Sequence, residues 1–288
     1  MLDRVDRMLI AVKDRARAAE TFATMLGARP DRESESAHLN ARRTVMRLGE
    51  SELELCEPAG AGPVQDFIDR WGEGLFAAGY ASTRLEALAE RLRGLGVPFT
   101  REAGQLHLPG TSTFGFPMVI STLVEREREG QVSFLYEATN TLATDWRVVA
   151  ARYSELFDLD ASRFSPIASG RFGYEGTLTL FDPPARLDRV ELSQTFADRP
   201  SAMRRFVDRR GGDSLYMCYI ETHDFDGLKQ RLLEAGATLT PRGGDIATER
   251  EGLWVHPKNL HGLLLGVSRT TLAWEWSGRP ALVTPLAD

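Results

Sequence analysis

The chain has 288 residues, of which 42% are hydrophobic and 26% are charged, and its formal net charge is −6. This length corresponds to about two ordinary domains, and the composition is typical of a globular protein. The acidic balance argues against binding nucleic acid or anionic membranes through bulk charge, because the arginine-rich runs are matched by glutamates.

The sequence also lacks signals for export or membrane insertion. No stretch approaches the roughly 18 to 20 uncharged apolar residues of a membrane helix. The first residues, "MLDRVDRMLIAVKD", are charged throughout and lack the apolar block of a signal peptide. Cys56 and Cys218 lie in apolar strand patterns, which predicts two reduced, buried cysteines. We therefore expect a cytoplasmic protein.

The first elements alternate in a fixed order. "VDRMLIAV" predicts a strand, and "DRARAAETFATMLGA" predicts a helix that Asp14 caps and Gly27 ends. "ARRTVMRLG" and "SELELCEP" follow as strands. The order then restarts with the strand "GLFAAGYAS", the helix "TRLEALAERLRGLG" and the strands "GQLHLPG" and "GFPMVIST".

The same order returns after the charged segment "EREREGQ". Asp145 takes the place of Asp14 and Glu191 that of Glu54, and "FVDRRGGDSLYMCYI" matches "FIDRWGEGLFAAGYA". Self-similarity in the same order over half a chain predicts a tandem duplication. We predict an N-terminal domain over residues 1–124, a linker over 125–132, a C-terminal domain over 133–270 and a tail over 271–288.

Four segments, "VDRMLIAVKD", "ELELCEP", "FIDRWGEGL" and "VHPKNLHGLLLGV", together resemble the vicinal oxygen chelate superfamily. The likeness is greatest to its glyoxalase and methylmalonyl-CoA epimerase-like branch, and it covers residues 1–124 and, more loosely, 133–270. It implies an α+β fold of four βαβββ modules. These form two homologous paired-module domains, whose curled mixed sheets surround a cavity and carry the helices outside.

The resemblance also implies a divalent metal held by one side chain from the first strand and one from the last strand of each module. In the N-terminal domain these positions fall on Arg7, Glu54, Ala77 and Val119, and in the C-terminal domain on Ala138, Glu191, Met217 and Gly266. One carboxylate per domain does not supply the several nitrogen or oxygen ligands that such metals need. We therefore expect no cofactor, although a divalent metal held by other residues stays open.

Strand alternation predicts which side chains face the cavity with these positions. They are Leu9, Glu52, Cys56, Gly79 and Ser193, with Asn140 and Tyr219 inferred as neighbours of Glu191, whereas His107 could face either way. The small residues at 77 and 79 are expected to leave volume for a guest molecule. His107 is a candidate acid–base partner.

Two carboxylates are the candidate catalytic groups. Glu54 is predicted to act as a base next to a carbonyl, with Arg7 stabilising the enolate or a substrate carboxylate. The alternative is a static Arg7–Glu54 ion pair in place of the metal. Glu191 is the second candidate base, with Met217 and Tyr219 suited to an apolar or aromatic guest. Its alternative is a half-exposed strand glutamate.

These features predict a metal-independent enzyme acting on a small-molecule carbonyl compound or acyl thioester. The reaction would be an isomerisation, epimerisation, hydration or lyase step with a cavity glutamate as base. The alternatives are a metal-free protein that sequesters a small ligand and a metal-dependent, dioxygenase-like enzyme. The sequence leaves open a monomer or a homodimer and predicts neither a nucleic-acid nor a membrane partner.

Overall fold

Two eight-stranded sheets with the same strand order form the framework of the computed structural model, which describes residues 1–286. The last two residues of the predicted tail, 287 and 288, lie outside this range. The first sheet and its helices comprise β1 (Arg4–Ala11), α1 (Arg15–Leu26), β2 (Arg29–Ser36), β3 (Ala41–Leu48), β4 (Ser51–Pro58), α2 (Pro63–Trp71), β5 (Gly74–Ser82), α3 (Leu85–Gly94), β6 (Thr100–Glu102), β7 (Gln105–Leu108) and β8 (Met118–Thr122).

The second sheet and its helices repeat this series. They comprise β9 (Val132–Leu142), α4 (Trp146–Phe157), β10 (Ser165–Ser169), β11 (Tyr174–Leu180), β12 (Arg189–Thr195), α5 (Ala202–Arg210), β13 (Ser214–Thr222), α6 (Phe225–Glu234), β14 (Leu239–Pro241), β15 (Gly252–Val255) and β16 (Leu265–Arg269).

Each sheet joins two βαβββ modules through their first strands. In the first sheet the order is β2-β3-β4-β1-β5-β8-β7-β6, with β1 parallel to β4 and antiparallel to β5. The second sheet repeats this arrangement from β10 to β14. The predicted α+β fold of four modules in two homologous domains is confirmed, whereas the exact domain boundaries stay a prediction.

Local sequence signals account for the helices that begin each domain. The Asp14 carboxylate accepts a hydrogen bond from the Arg17 amide at 3.0 Å, and Asp145 caps α4 in the same way. Gly27 ends α1 with a φ of 69°, a conformation that favours glycine.

Helices α2 and α5 were not predicted from the sequence. Each follows the fourth strand of its domain and leads into the fifth. Their signals are present: Pro63 occupies the first turn of α2, and the Ser201 hydroxyl accepts from the Arg204 amide at the start of α5. These helices matter because they lie at the mouths of the curled sheets.

The main apolar core lies between the sheets and the outer helices and runs through both domains. It includes Met8, Phe22, Leu53, Tyr80, Leu88, Val149, Leu192 and Leu228, all of which are fully buried. Cys56 and Cys218 are buried and free, as predicted. Within residues 1–286, no helix is long and apolar enough to cross a lipid bilayer.

The two domains meet through the shared apolar core and through hydrogen bonds that involve main-chain amides. The Glu50 amide donates to the Ser133 carbonyl oxygen at 2.9 Å, and the Val5 amide donates to the carboxylate of Asp188 at 2.7 Å. A Cβ atom at Gly262 would lie 2.1 Å from the Glu73 carbonyl oxygen. Gly115 repeats this contact against the other domain. The absence of a side chain at these positions therefore sets how closely the domains approach.

Candidate functional site

The concave face of the N-terminal sheet holds a buried network of ion pairs. Arg7, on β1, donates to Glu54 Oε1 at 2.7 Å, to Asp6 Oδ2 at 2.5 Å and to Ser121 Oγ at 2.9 Å. Arg43 donates to the other oxygen of Glu54 at 3.2 Å. Both carboxylate oxygens of Glu54 are thus bonded to cations, and its side chain is 1% exposed.

Glu52 extends this network to the segment that joins the domains. Its carboxylate accepts from Arg32 at 2.8 Å and lies 3.3 Å from Arg126. Arg126 also bonds to Asp6 at 2.5 Å. Part of the predicted linker is therefore fixed to the concave face. Burial by itself would lower the pKa of Arg7, but Glu54, Asp6 and Glu52 outweigh burial and raise it.

The volume predicted around Gly79 is occupied by the protein itself. A Cβ atom at this position would lie 1.9 Å from Cγ of Arg7, so the glycine makes room for the arginine. Beside it, an apolar cluster from β1, β4, β5, β8, α2 and the segment between β2 and β3 closes the face. Its members include Leu9, Leu39, Cys56, Val64, Ile68, Ala77 and Val119. The predicted open cavity of this domain was wrong, because α2 and the chain after β2 fill it.

His107 lies at the edge of the same face, opposite Val119 on the neighbouring strand. Its ring packs edge-on against His38 at 4.9 Å, and its Nε2 has no partner among the described residues. Burial, followed by the neighbouring His38, lowers the pKa of His107 to about 4. The ring is therefore neutral near pH 7, and its proposed acid–base role stays a prediction.

In the C-terminal domain the corresponding charges are exchanged. Arg7 lies opposite Glu52 in the first sheet, and Glu137 lies opposite Arg189 in the second. The position matching Arg7 is thus Glu137. The prediction of Ala138 was wrong by one residue, and this alanine packs in the core under the helices.

The Glu137–Arg189 ion pair was not predicted from the sequence. Arg189 Nε donates to Glu137 Oε2 at 2.6 Å, its guanidinium carbon lies 4.8 Å from the Tyr136 ring centroid, and its Nη1 donates to Ser277 Oγ at 2.9 Å. A single charged residue inside the otherwise uncharged strand "SFLYEATNTL" was the available signal. Ser277 belongs to the predicted tail. This tail, which also contains the buried residues Leu272, Ala273 and Trp274, covers this side of the concave face.

Glu191 lies beside the Glu137–Arg189 pair, and its hydrogen-bond partners and neighbouring charges differ from those of Glu54. The Ser193 hydroxyl donates to its carboxyl group, and the carboxyl also shares a hydrogen bond with Glu137. Burial, followed by the negative charge of Glu137, raises the pKa of Glu191 well above its usual range. The protonated form of this carboxyl is therefore more favoured than that of an ordinary glutamate.

Half-buried aromatic side chains border Glu191. Tyr174, Tyr216 and Tyr219 approach it from β11 and β13, and Glu191 contributes to the raised pKa of each after the larger effect of burial. Met217 lies opposite Thr139, the strand neighbour of Glu191. Glu191 keeps 7% exposure, so the aromatic border is a more accessible surface than the closed N-terminal face.

Two further predicted positions serve other purposes. A Cβ atom at Gly266 would lie 2.0 Å from Cε1 of Tyr219, so this glycine makes room for the tyrosine ring. Asn140 was predicted to face the cavity, but it points to the helix layer instead. Its amide donates to the Phe114 carbonyl at 3.0 Å and to the Tyr153 hydroxyl at 3.3 Å.

The donor sets do not fit a divalent metal. Glu54 already bonds to two arginines, and burial beside Glu137 raises the pKa of Glu191, which disfavours the ionised form that a metal would need. The remaining family positions are arginine, glutamate or side chains without a donor suited to such a metal. Across residues 1–286, no three His, Cys, Asp or Glu side chains converge as a possible metal site. The absence of a cofactor remains a prediction.

An open groove of about 500 Å³ beside Lys13, Arg42 and Gln65 includes neither Glu54 nor Glu191.

Comparison with known proteins agrees with this architecture. Residues 6–113 match the model of the glyoxalase/bleomycin resistance protein/dioxygenase superfamily. These residues therefore resemble this superfamily. The predicted resemblance is therefore confirmed. No curated protein sequence matches the chain.

Solved structures extend the likeness to both domains of this glyoxalase-like protein. A triple mutant of 4-hydroxymandelate synthase from Streptomyces coelicolor is 16% identical over 93% of each chain, with a TM-score of 0.71. A fusion of a xylose isomerase-like TIM barrel with 4-hydroxyphenylpyruvate dioxygenase is 13% identical over 98% of this chain and 52% of its own, with a TM-score of 0.63. Methylmalonyl-CoA epimerase from Mycobacterium tuberculosis is 20% identical over 49% of this chain and 89% of its own, with a TM-score of 0.40. The first two establish the two-domain fold alone.

Proposed function

We propose that this glyoxalase-like protein is a metal-independent enzyme that moves a proton on a small carbonyl compound or acyl thioester. The site is the concave face of the C-terminal domain, and Glu191 is the catalytic base. The observation that carries this proposal is the joint position of Glu191, Glu137 and Ser193 behind a border of half-buried tyrosines.

The two domains differ in what their glutamates can do. Glu54 is held by Arg7 and Arg43 and lies behind an apolar cluster, which favours the static ion pair. Glu191 has no direct salt bridge in the described structure, and its neighbour Glu137 is the partner of Arg189. Burial next to a like charge makes a carboxylate a stronger base, and a base with a pKa closer to the working pH transfers protons more effectively.

The step conserves atoms and charge. The ionised form of Glu191 removes the proton from the carbon next to the carbonyl, and the electrons of the broken C–H bond form an enolate. The protonated Glu191 then returns the proton from its own side, either to the same carbon after the enolate has turned over, which inverts the centre, or to a carbon conjugated with the enolate. Epimerisation or isomerisation results, and Ser193 orients the carboxyl throughout.

Deuterium exchange tests this assignment without requiring a known product. Wild-type protein would be incubated in D₂O with a panel of 2-methyl acyl thioesters and aromatic 2-keto acids, with and without EDTA, and followed by ¹H NMR. We expect α-proton exchange that EDTA leaves unchanged and that Glu191→Gln reduces at least about 100-fold, in line with the usual contribution of a general base. Folded Glu54→Gln should retain exchange.

The opposite results would contradict the proposal in distinct ways. Loss of exchange in folded Glu54→Gln, with normal exchange in Glu191→Gln, would place the base in the N-terminal domain. Loss on adding EDTA would favour the metal-dependent, dioxygenase-like alternative. Saturable binding of a panel compound without exchange would favour the sequestration protein.

Location in the cytoplasm and the choice between monomer and homodimer stay predictions.

A further inference from the structure

A cluster of arginines and aromatic rings lies where α2 and α5 meet across the two domains. The guanidinium carbon of Arg210 lies 4.5 Å from the ring centroid of Trp71, 5.2 Å from that of Phe67 and 5.1 Å from that of Phe206. Arg70 lies 4.6 Å from the same Trp71 centroid. The two guanidinium groups, one from each domain, therefore lie against one indole ring.

Arg209 adds a third positive charge, 5.7 Å from the Phe206 ring centroid. In the part of the chain that the structure describes, Arg70, Arg209 and Arg210 form no ion pair. The nearest aspartate along α5, Asp208, is bonded instead to Arg204 at 2.6 Å. Three like charges are thus held together without a carboxylate to offset their repulsion.

The electrostatics of Arg210 agree with this geometry. Burial, followed by the charges of Arg209 and Arg70, lowers the pKa of Arg210 to about 10. Arg147 is a useful contrast, since it also stacks on a tryptophan, at 4.4 Å from Trp146, but lies within 3.5 Å of carboxylates. An arginine that stacks on a ring can therefore also form an ion pair in this protein, whereas the three arginines of the cluster form none.

The cluster is continuous with the rim of the proposed active site. Phe206 packs edge-on against Tyr216 with ring centroids 4.8 Å apart. Tyr216 is half-buried, and burial, followed by Arg205, Arg209 and Glu191, shifts its pKa, so these groups lie near it. An elongated molecule whose reacting carbon lies at Glu191 would extend past Tyr216 to the arginines.

We propose that Arg70, Arg209 and Arg210 form a binding site for an oxyanion, either a carboxylate or a phosphate, carried by the small-molecule substrate. Guanidinium groups bind such anions through paired N–H donors, and rings that fix the guanidinium planes reduce the entropy lost on binding. An anion here would also relieve the repulsion within the cluster. This inference rests on the proposed function only in calling the ligand a substrate.

Anion titration tests the site independently of turnover. Wild-type protein would be titrated at low ionic strength with benzoate and, separately, with inorganic phosphate, by calorimetry and by NMR of the arginine Nε–H signals. We expect saturable binding of at least one anion, at least tenfold weaker binding in Arg209→Gln and in Arg70→Gln, and unchanged binding in the matched control Arg147→Gln. Saturation by benzoate alone identifies a carboxylate on an apolar body, and saturation by phosphate alone identifies a phosphoryl group.

Two results would overturn the site. One is the absence of saturation by either anion, and the other is equal weakening in Arg147→Gln, which would indicate unspecific attraction. Arg209 and Arg70 are exposed, so their variants keep the test valid even if Arg210→Gln loosens the contact between α2 and α5. Glu191→Gln should bind the anion with wild-type affinity, so failure of the anion site and failure of the catalytic assignment are distinguishable.

Discussion

Glu54 and Glu191 occupy matching strand positions, and their neighbours give them opposite electrostatic environments. Arg7 lies beside Glu54, whereas Glu137 lies beside Glu191. The sequence predicted two candidate glutamates. It did not predict that their electrostatic environments differ, because each environment depends on which charged residue lies opposite on the adjacent strand. A shift of one residue in the strand register changes that neighbour.

Replacing each glutamate by glutamine should therefore change stability in opposite directions. Glu54→Gln leaves Arg7 and Arg43 with an incomplete set of counter-charges and should cost about 3 kcal/mol of unfolding free energy, as breaking a buried ion pair does. Glu191→Gln removes a carboxyl whose ionisation burial and Glu137 oppose, and it should stabilise the protein at pH 8. Urea unfolding measures both.

The pH dependence of Glu191 follows from the sign of its shift. Because its pKa is raised in the folded state, the folded protein binds more protons, and stability falls as pH rises from about 4.5 through the folded pKa. Glu191→Gln should flatten this fall, and the exposed control Glu90→Gln should not. A stability gain of Glu191→Gln that is the same at pH 4.5 and pH 8 would contradict the assignment.

His107 should make the protein sensitive to acid. Its pKa is lowered from the ordinary value of 6.5 to about 4 in the folded protein, so the unfolded chain binds the proton more readily. The stability present above pH 6.5 should fall by about 3 kcal/mol as the pH decreases to 4.

His107→Gln tests this acid sensitivity against His223→Gln, which changes an exposed histidine. Urea unfolding at pH 7 and pH 4 measures the loss in each protein. The loss should be smaller in His107→Gln and unchanged in His223→Gln. An equal loss in wild type and His107→Gln would show that other groups titrate.

At the scale of the elements, the strand and helix pattern was predictable because periodicity and end signals are local. Asp14 and Asp145 cap helices as predicted, and the strand order within each module follows from the family resemblance. The closed N-terminal face was not predictable. It depends on where α2 folds back, and the small residue Gly79 was interpreted as space although it accommodates Arg7. Small side chains in a strand can admit a guest or a neighbour, and sequence alone does not distinguish the two.

At the scale of the whole molecule, the duplication brings equivalent segments of the two domains into contact. A substitution at Gly262 measures how closely these segments are packed. A Cβ atom there would lie 2.1 Å from the Glu73 carbonyl oxygen, and its φ is +84°. Gly236 has a comparable φ of +75°, but a Cβ atom at that position would meet nothing within 4 Å. Gly236→Ala should thus lose about 1 kcal/mol from backbone strain.

Gly262→Ala should lose about 2 kcal/mol more, because the added methyl group overpacks the domain contact. Urea unfolding measures the free energy of unfolding of both variants. The backbone strain is common to both, so it cancels in the difference between them. Equal losses would show that the contact yields at little cost.

The same interface has a consequence for how such proteins diverge. Its hydrogen bonds from Glu50 and Val5 use amide groups that every residue except proline possesses, and its closest approaches use glycine. At positions 5 and 50 the hydrogen bond therefore constrains the main chain and not the identity of the residue, although the acceptor of the Val5 amide is the carboxylate of Asp188. A fold shared at 16% identity over 93% of the chain is consistent with contacts of this kind.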